Sequence, residues 1–283
     1  MKSFGVAVIA IVAIHNLAFS QAEHGTIAVV YYTPSKIIIA ADSRVLLGTD
    51  DTDTRHEDNA CKVAALGDKI VFVSAGYSGY NRNGPLDALP TWRVSDEAHQ
   101  AYSDVFAELK NKASKPAVTL VAARWGELIR AHITDLYSIR PKAIADLAVD
   151  GLLTSAIFSG TSADGHLIVL LVQLKLGTNG VEVVGPKEIT TETCPPCALG
   201  DGSIFLEFFS KTSERARDEA ARWAIRKRQL SQTEFDRLWI IRFVDLTILL
   251  YPSPNEVGGF IDALELTPQG VTWIQRKDNC PAN

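Results

Sequence analysis

Two runs rich in β-branched and aromatic residues, 26–32 and 37–41, are separated by the turn-forming stretch Thr33-Pro34-Ser35-Lys36. This arrangement commits the chain to a β-hairpin that closes at Asp42. Residues 48–59 are polar, with five acidic side chains and no apolar period. Residues 62–66 and 69–74 then read as a second short hairpin around Gly67-Asp68, so four strands precede Gly76. A Gly- and Pro-bearing loop over 76–90 leads into a helix with Ser95 as N-cap, and Ala98, Ala101, Tyr102, Val105, Phe106 and Leu109 share one of its faces. Two more strand pairs are expected, 118–124 with 128–134 and 154–159 with 166–174, each broken by Gly, Asp or Asn turns.

The last third of the chain turns helical. Residues 202–211 are apolar, 213–228 are charged and Ala-rich, and Ser231-Gln232-Thr233-Glu234 is a capping box opening a helix that Pro252 and Pro254 stop. A final strand pair, 259–266 and 271–276, turns at Pro268-Gln269-Gly270. No repeat, low-complexity tract or linker divides the chain, so one α+β domain over residues 23–283 is expected, with antiparallel sheets and helices grouped in blocks.

Ahead of this domain, Lys2 and the apolar run from Phe4 to Ile14 and on through Leu17 to Phe19 read as a secretory signal over residues 1–22. Ala18 and Ser20 fit a cut before Gln21, and Ser20 with Ala22 fit a cut before Glu23; an uncleaved anchor or a buried N-terminal strand is the competing reading. Export predicts a secreted or periplasmic, soluble protein with no membrane contact after signal removal, because the apolar stretch 235–251 carries Asp236, Arg237, Arg242 and Asp245. It also places Cys61, Cys194, Cys197 and Cys280 where two disulfides can persist, with the pairing open.

With 28 Lys and Arg against 33 Asp and Glu, the net charge of -5 supplies no basic field for nucleic acid or an anionic membrane. Peptides, small molecules or other proteins are the expected partners. Cys194-Pro195-Pro196-Cys197 has thioredoxin-type spacing ahead of an apolar helix. No βαβ unit precedes it and no close Cys or His pair completes a zinc site, so a structural disulfide is expected and neither metal nor cofactor is called for.

Three short stretches carry a resemblance: His24-Gly25-Thr26-Ile27-Ala28-Val29, then Ile37-Ile38-Ile39-Ala40-Ala41-Asp42-Ser43-Arg44, then Ala60-Cys61-Lys62-Val63. Together they resemble the opening of proteasome β-subunits and of the peptidase subunit of the bacterial two-component ATP-dependent protease. Ala198-Leu199-Gly200-Asp201-Gly202-Ser203 resembles that family's glycine-rich entry to its central helix, and Gly258-Gly259 resembles the start of its C-terminal hairpin. The resemblance spans residues 24–276 in order. It implies a four-layer αββα sandwich of two antiparallel sheets, of the N-terminal-nucleophile (Ntn) hydrolase type.

It also implies that the Gly25-Thr26 bond is cut autocatalytically, that Thr26 becomes the nucleophile, and that Asp42 and Lys62 complete the catalytic group. Ser43, Arg44, Gly76, Asp201 and Ser203 fall in supporting positions. The match departs where Asp201 replaces a small serine, and where Pro254 and Val257 replace an acidic residue and a serine.

The implied chemistry has a physical rationale. A threonine hydroxyl is a weak nucleophile without a base, and a free α-amine on the same residue, with a pKa of about 7.7–8.0, can take its proton. A lysine ammonium beside the hydroxyl favours that proton loss, and a buried aspartate compensates the lysine. The resemblance further implies that backbone N–H groups around Ser74-Ala75-Gly76 meet the oxyanion. Alone, each residue has an ordinary structural use, an Asp as turn former or a Thr in a strand; their joint order is what points to an exported peptide- or amide-cleaving hydrolase. The alternative is a catalytically silent relative that binds partners or builds a homo-oligomeric ring.

Overall fold

The computed structural model describes residues 26–46, 56–80, 90–109, 117–162, 164–193, 196–252 and 256–281. Their elements run β1 (Ile27–Thr33), β2 (Lys36–Asp42), β3 (Val45–Leu46), β4 (His56–Glu57), β5 (Val63–Leu66), β6 (Ile70–Gly76), β7 (Gly79–Tyr80), β8 (Trp92–Arg93), α1 (Val94–Leu109), α2 (Ala117–Ile139) and α3 (Pro141–Leu147). They continue as β9 (Leu152–Thr161), β10 (Leu167–Gly177), β11 (Gly180–Ile189), β12 (Cys197–Gly200), α4 (Ser203–Ser210), α5 (Glu214–Lys227), α6 (Gln232–Leu250), β13 (Ile261–Thr267) and β14 (Gly270–Gln275).

Two five-stranded antiparallel sheets dominate, one in the order β12-β1-β2-β13-β14 and the other β11-β10-β9-β6-β5. Their central strands read as continuous apolar runs because both faces are covered. In β1 and β2, Ala28, Val30, Ile37, Ile39 and Ala41 pack against Val71, Val73 and Ile157 of the other sheet, while Ile27, Val29, Ile38 and Ala40 pack against Phe205, Phe208, Ile240 and Phe243 of α4 and α6. On the far side, Phe72 and Phe158 of the second sheet meet Trp125, Ile129 and Ile133 of α2 and Ala98 and Ala101 of α1. The period-two alternation of a strand thus feeds two cores at once, and the three cores order the molecule as helices, sheet, sheet, helices.

Local signals hold several elements in place. The Ser231 hydroxyl accepts from the Glu234 N–H while the Glu234 carboxylate accepts from the Ser231 N–H, a reciprocal capping box at the start of α6. Ser213 caps α5 in the simpler way, accepting from the Ala216 N–H.

Residues 118–134 form no strand pair. They are a single helix, α2, with Val118, Val121, Ala122, Trp125, Ile129, Ile133 and Leu136 on its buried stripe. Gly126 is a packing glycine here, since a Cβ at that position would come within 2.9 Å of Val183 Cγ1. β11 and β12 are strands that the sequence reading passes over. A disulfide joins Cys61 to Cys280 across a separation of 219 residues. Cys197 is also disulfide-bonded, while Cys194, like residues 1–22 and Gly25, lies outside the described residues.

Trp125 is fully buried, its ring 5.7 Å from that of Phe72 and 5.6 Å from that of Phe158, and its indole N–H donates to Val94 O at 2.9 Å. Trp125→Ala is therefore expected to lower the unfolding free energy by about 3–5 kcal/mol in urea titration. A loss below about 1 kcal/mol contradicts this packing.

Candidate active site

The β1–β2 hairpin sets its strands so that Ala28 faces Ala41. The residue just before β1, Thr26, is thereby carried alongside the end of β2, where Asp42 sits. Lys62 arrives from the other sheet, immediately before β5. Its amine donates to Thr26 Oγ1 at 2.8 Å and to Asp42 Oδ1 at 2.9 Å. All three side chains are buried, at 3%, 1% and 4% relative exposure for Thr26, Asp42 and Lys62.

A buried carboxylate needs donors on both oxygens, and Asp42 has them. Oδ1 accepts from the Ile27 N–H at 3.0 Å as well as from Lys62, and Oδ2 accepts from the N–H groups of Gly258 at 3.1 Å and Arg44 at 3.3 Å. Burial pushes the Asp42 carboxyl up from its ordinary value, opposed by Lys62 and by the Gly258 and Ile27 amides. Burial likewise pushes the Lys62 amine down, opposed by Asp42.

The Gly258 carbonyl completes the turn by accepting from the N–H groups of Ser43 at 3.1 Å and Arg44 at 3.0 Å. This approach requires the double glycine: a Cβ on Gly258 would lie 2.7 Å from the Arg44 guanidinium carbon, and one on Gly259, at φ +76°, would lie 2.6 Å from Ser43 Oγ. Ser43 Oγ donates to Asp58 O at 2.5 Å, and Arg44 forks onto the Asp58 carboxylate at 2.6 and 2.8 Å, a bidentate pair that holds the Asp58 carboxyl below its usual range.

The backbone of Thr26 is fixed from the opposite side. Its carbonyl accepts from the Asp201 N–H at 3.1 Å. Gly200, at φ +81°, runs so close that a Cβ would sit 2.0 Å from that same oxygen. The Asp201 carboxylate accepts from the Ser203 N–H at 2.9 Å and from the Tyr251 hydroxyl at 2.8 Å, and Tyr251 also donates to Glu256 at 3.3 Å. Burial and the two carboxylates push the Tyr251 hydroxyl far up, so it remains a donor.

Gly76 ends β6 beside this group. The Ser74 N–H donates to Lys62 O at 3.2 Å and the Tyr77 N–H donates to Leu153 O at 2.9 Å. The alternation of an antiparallel ladder therefore aims the intervening Gly76 N–H away from β9, on the Lys62 side.

The structure thus joins Thr26 and Asp42 through Lys62, with Ser43 and Arg44 following Asp42, Asp201 bonded to Thr26 O, and the Gly76 N–H on the Lys62 side of β6. Ser203 stands one step out: its N–H donates to the Asp201 carboxylate, and the Asp201 N–H donates to Thr26 O. Val257 is buried beside Gly258, while Gly25 and Pro254 lie outside the described residues. Sequence reasoning misses the amides of Ile27 and Gly258, the Asp58 clamp, and a second buried pair, Asp262 with Lys277, whose amine donates to that carboxylate and to Ala60 O at 3.0 Å. A hint is present in Asp262, an acidic residue inside the otherwise apolar start of β13, and in Lys277, which follows β14.

Among the described residues no group of three or more His, Cys, Asp or Glu is arranged to hold a metal, and no helix is long and apolar enough to cross a membrane. No protein-family model and no curated protein sequence matches the chain.

Removing one partner of a buried ion pair leaves an uncompensated charge and costs about 3–5 kcal/mol. Asp42→Ala is expected to lose stability on that scale in urea titration, and adding Lys62→Met is expected to recover a large part of it. An additive pair of losses contradicts a shared buried charge pair.

Proposed function

We propose that this chain is a proteasome-like N-terminal-nucleophile hydrolase that cleaves peptide or small amide bonds with the Thr26 hydroxyl. The observation that carries this reading is the Lys62 amine, buried and donating at once to Thr26 Oγ1 at 2.8 Å and to Asp42 Oδ1 at 2.9 Å. An ammonium this close to a hydroxyl, away from water, stabilises the developing alkoxide.

Activation begins at the Gly25-Thr26 bond. The Thr26 hydroxyl adds to the Gly25 carbonyl, the acyl group moves from nitrogen to oxygen, and water hydrolyses the resulting ester to leave a free Thr26 amine. In turnover that amine accepts the hydroxyl proton as Thr26 Oγ1 attacks the substrate carbonyl. The Gly76 N–H meets the oxyanion. The amine then returns the proton to the leaving nitrogen, and water, deprotonated by the same amine, releases the acyl group. Lys62 stays protonated throughout, with Asp42 compensating its charge. On the reading of residues 1–22 as a signal, this activity lies in the periplasm or outside the cell, on peptide or small amide substrates and without a cofactor.

The experiment is covalent capture by a threonine-directed β-lactone, located by peptide mapping. Wild type is expected to be acylated at Thr26, Thr26→Ala to be unmodified, and Lys62→Ala to react about 10²-fold more slowly or worse. Capture confined to other residues, or undiminished in Lys62→Ala, sinks the reading in favour of a catalytically silent binding or ring-forming protein.

A pH profile adds a sign. Burial lowers the Lys62 amine from its ordinary 10.5, and its ammonium is lost as pH rises through the lowered value. The alkaline limb of the capture rate is therefore expected below pH 10.5; a rate still rising through that pH contradicts a required ammonium.

A further inference from the structure

The Ser74 N–H donates to Lys62 O at 3.2 Å, which holds the Lys62 backbone to β6, and the Ala60 N–H donates to Ser43 O at 3.2 Å. The segment leading to Lys62, residues 59–61, is gripped from the C-terminus as well. Asn279 Nδ2 donates to Asn59 O at 3.1 Å, Lys277 Nζ donates to Ala60 O at 3.0 Å, and Cys280 is bonded to Cys61. The turn that makes these contacts is itself anchored. The Lys277 N–H donates to Asp262 Oδ1 at 2.9 Å, its amine pairs with the other Asp262 oxygen, and the Cys280 N–H closes onto Lys277 O at 3.2 Å.

Asp262 lies opposite Ala41, one residue from Asp42, so the two buried Lys–Asp pairs are neighbours. Around the Lys62 amine stand Asp42, Lys277 and Arg44, with Asp58 beyond. After burial, the Lys277 and Arg44 cations add to what pushes Lys62 down.

We propose that the C-terminal turn 277–280 is a positioning element for Lys62, and that the Cys61–Cys280 disulfide thereby makes the reactivity of Thr26 dependent on an external dithiol. This rests on the hydrolase reading above for its effect on Thr26, but not for its effect on Lys62. Cys61 is partly exposed, so a small dithiol reaches the bridge. Two thiolate exchanges reduce it to two thiols, while the dithiol is oxidised to its own cyclic disulfide. Residues 59–61 then lose one of their holds, the Lys62 amine gains water, and its contact with Thr26 loosens. A displacement of about 1 Å at such a contact is enough to cost up to about 10²-fold in rate. A disulfide that merely restrains the unfolded chain lowers the melting temperature on reduction and leaves native-state properties unchanged.

The test measures two properties well below the melting temperature. The first is the titration of Lys62, followed by the carbon NMR signal of its Cε and assigned by its loss in Lys62→Arg; the second is the rate of β-lactone capture at Thr26. Both are compared in oxidised wild type, in wild type reduced with dithiothreitol and capped, in Cys61→Ala/Cys280→Ala, and in Lys277→Met, which keeps the bridge. Because dithiothreitol also reaches the bridge at Cys197, the double variant isolates Cys61–Cys280.

The Lys62 midpoint is expected to rise in all three altered forms and the capture rate to fall about 10-fold to 100-fold. A Lys62 midpoint that stays at the oxidised value in the reduced protein and in Cys61→Ala/Cys280→Ala overturns the proposal, whatever Lys277→Met shows, since loss of that cation raises the midpoint by charge alone. If the midpoint rises as expected but Thr26 is captured in no form, oxidised wild type included, the positioning role stands and the hydrolase reading falls.

Discussion

Placing the Lys62 ammonium in a dry interior costs several kcal/mol before any partner is counted, and much of the architecture can be understood as the set of groups that offsets this cost. Asp42 supplies the opposite charge at 2.9 Å, but a buried carboxylate brings its own demand for donors. Ile27, Arg44 and Gly258 meet that demand with backbone N–H groups from the start of β1, the end of β2 and the loop before β13. One charge pair therefore ties together segments more than two hundred residues apart, and it joins the two sheets, since Lys62 belongs to one and Asp42 to the other.

The close approaches around this pair explain glycines that secondary structure alone does not require. Gly200 lets β12 run against the Thr26 carbonyl, and Gly258-Gly259 lets the loop close over Ser43 and Arg44. Ser43 and Arg44, in turn, spend their polar groups on Asp58, so the turn after β2 is held by a bidentate ion pair instead of by exposed solvent contacts. The second pair, Asp262 with Lys277, repeats the device one strand away. Both pairs are buried, and in both an amine bridges a carboxylate to a group on another segment.

How much of this is legible in the sequence depends on the range of the contact. The strands of the first hairpin, the capping box at Ser231 and the final strand pair are written in local patterns of period and turn chemistry, and the structure places elements there; the helix expected to open after Ser95 as N-cap begins instead at Val94, with Ser95 inside it. Residues 118–134 mislead because Gly126 resembles a turn between two apolar runs. The alternative pattern, Val118, Val121, Ala122, Trp125 and Ile129 at helical spacing, was equally present, and what decides between them is Val183 and Val172, distant in sequence, packing on the glycine.

β12 is hidden for a related reason: four residues entering a glycine-rich turn become a strand only because β1 offers them an edge. The grouping of Thr26, Asp42 and Lys62 could be anticipated from an ordered resemblance. The Gly258 amide, the Asp58 clamp and the Cys61–Cys280 pairing could not, because backbone donors leave no mark in composition and four cysteines allow three pairings.

In the proposed function this buried group makes Thr26 a nucleophile with its own amine as base, and that amine is free only if the mature chain begins at Thr26. The intact mass of the protein, expressed from its full sequence and recovered from cells and medium, tests this directly. The account predicts a chain beginning at Thr26, and a Thr26→Ala variant that keeps the residues between the signal cut and Gly25. A wild-type mass that retains Gln21 or Glu23 through Gly25 contradicts it.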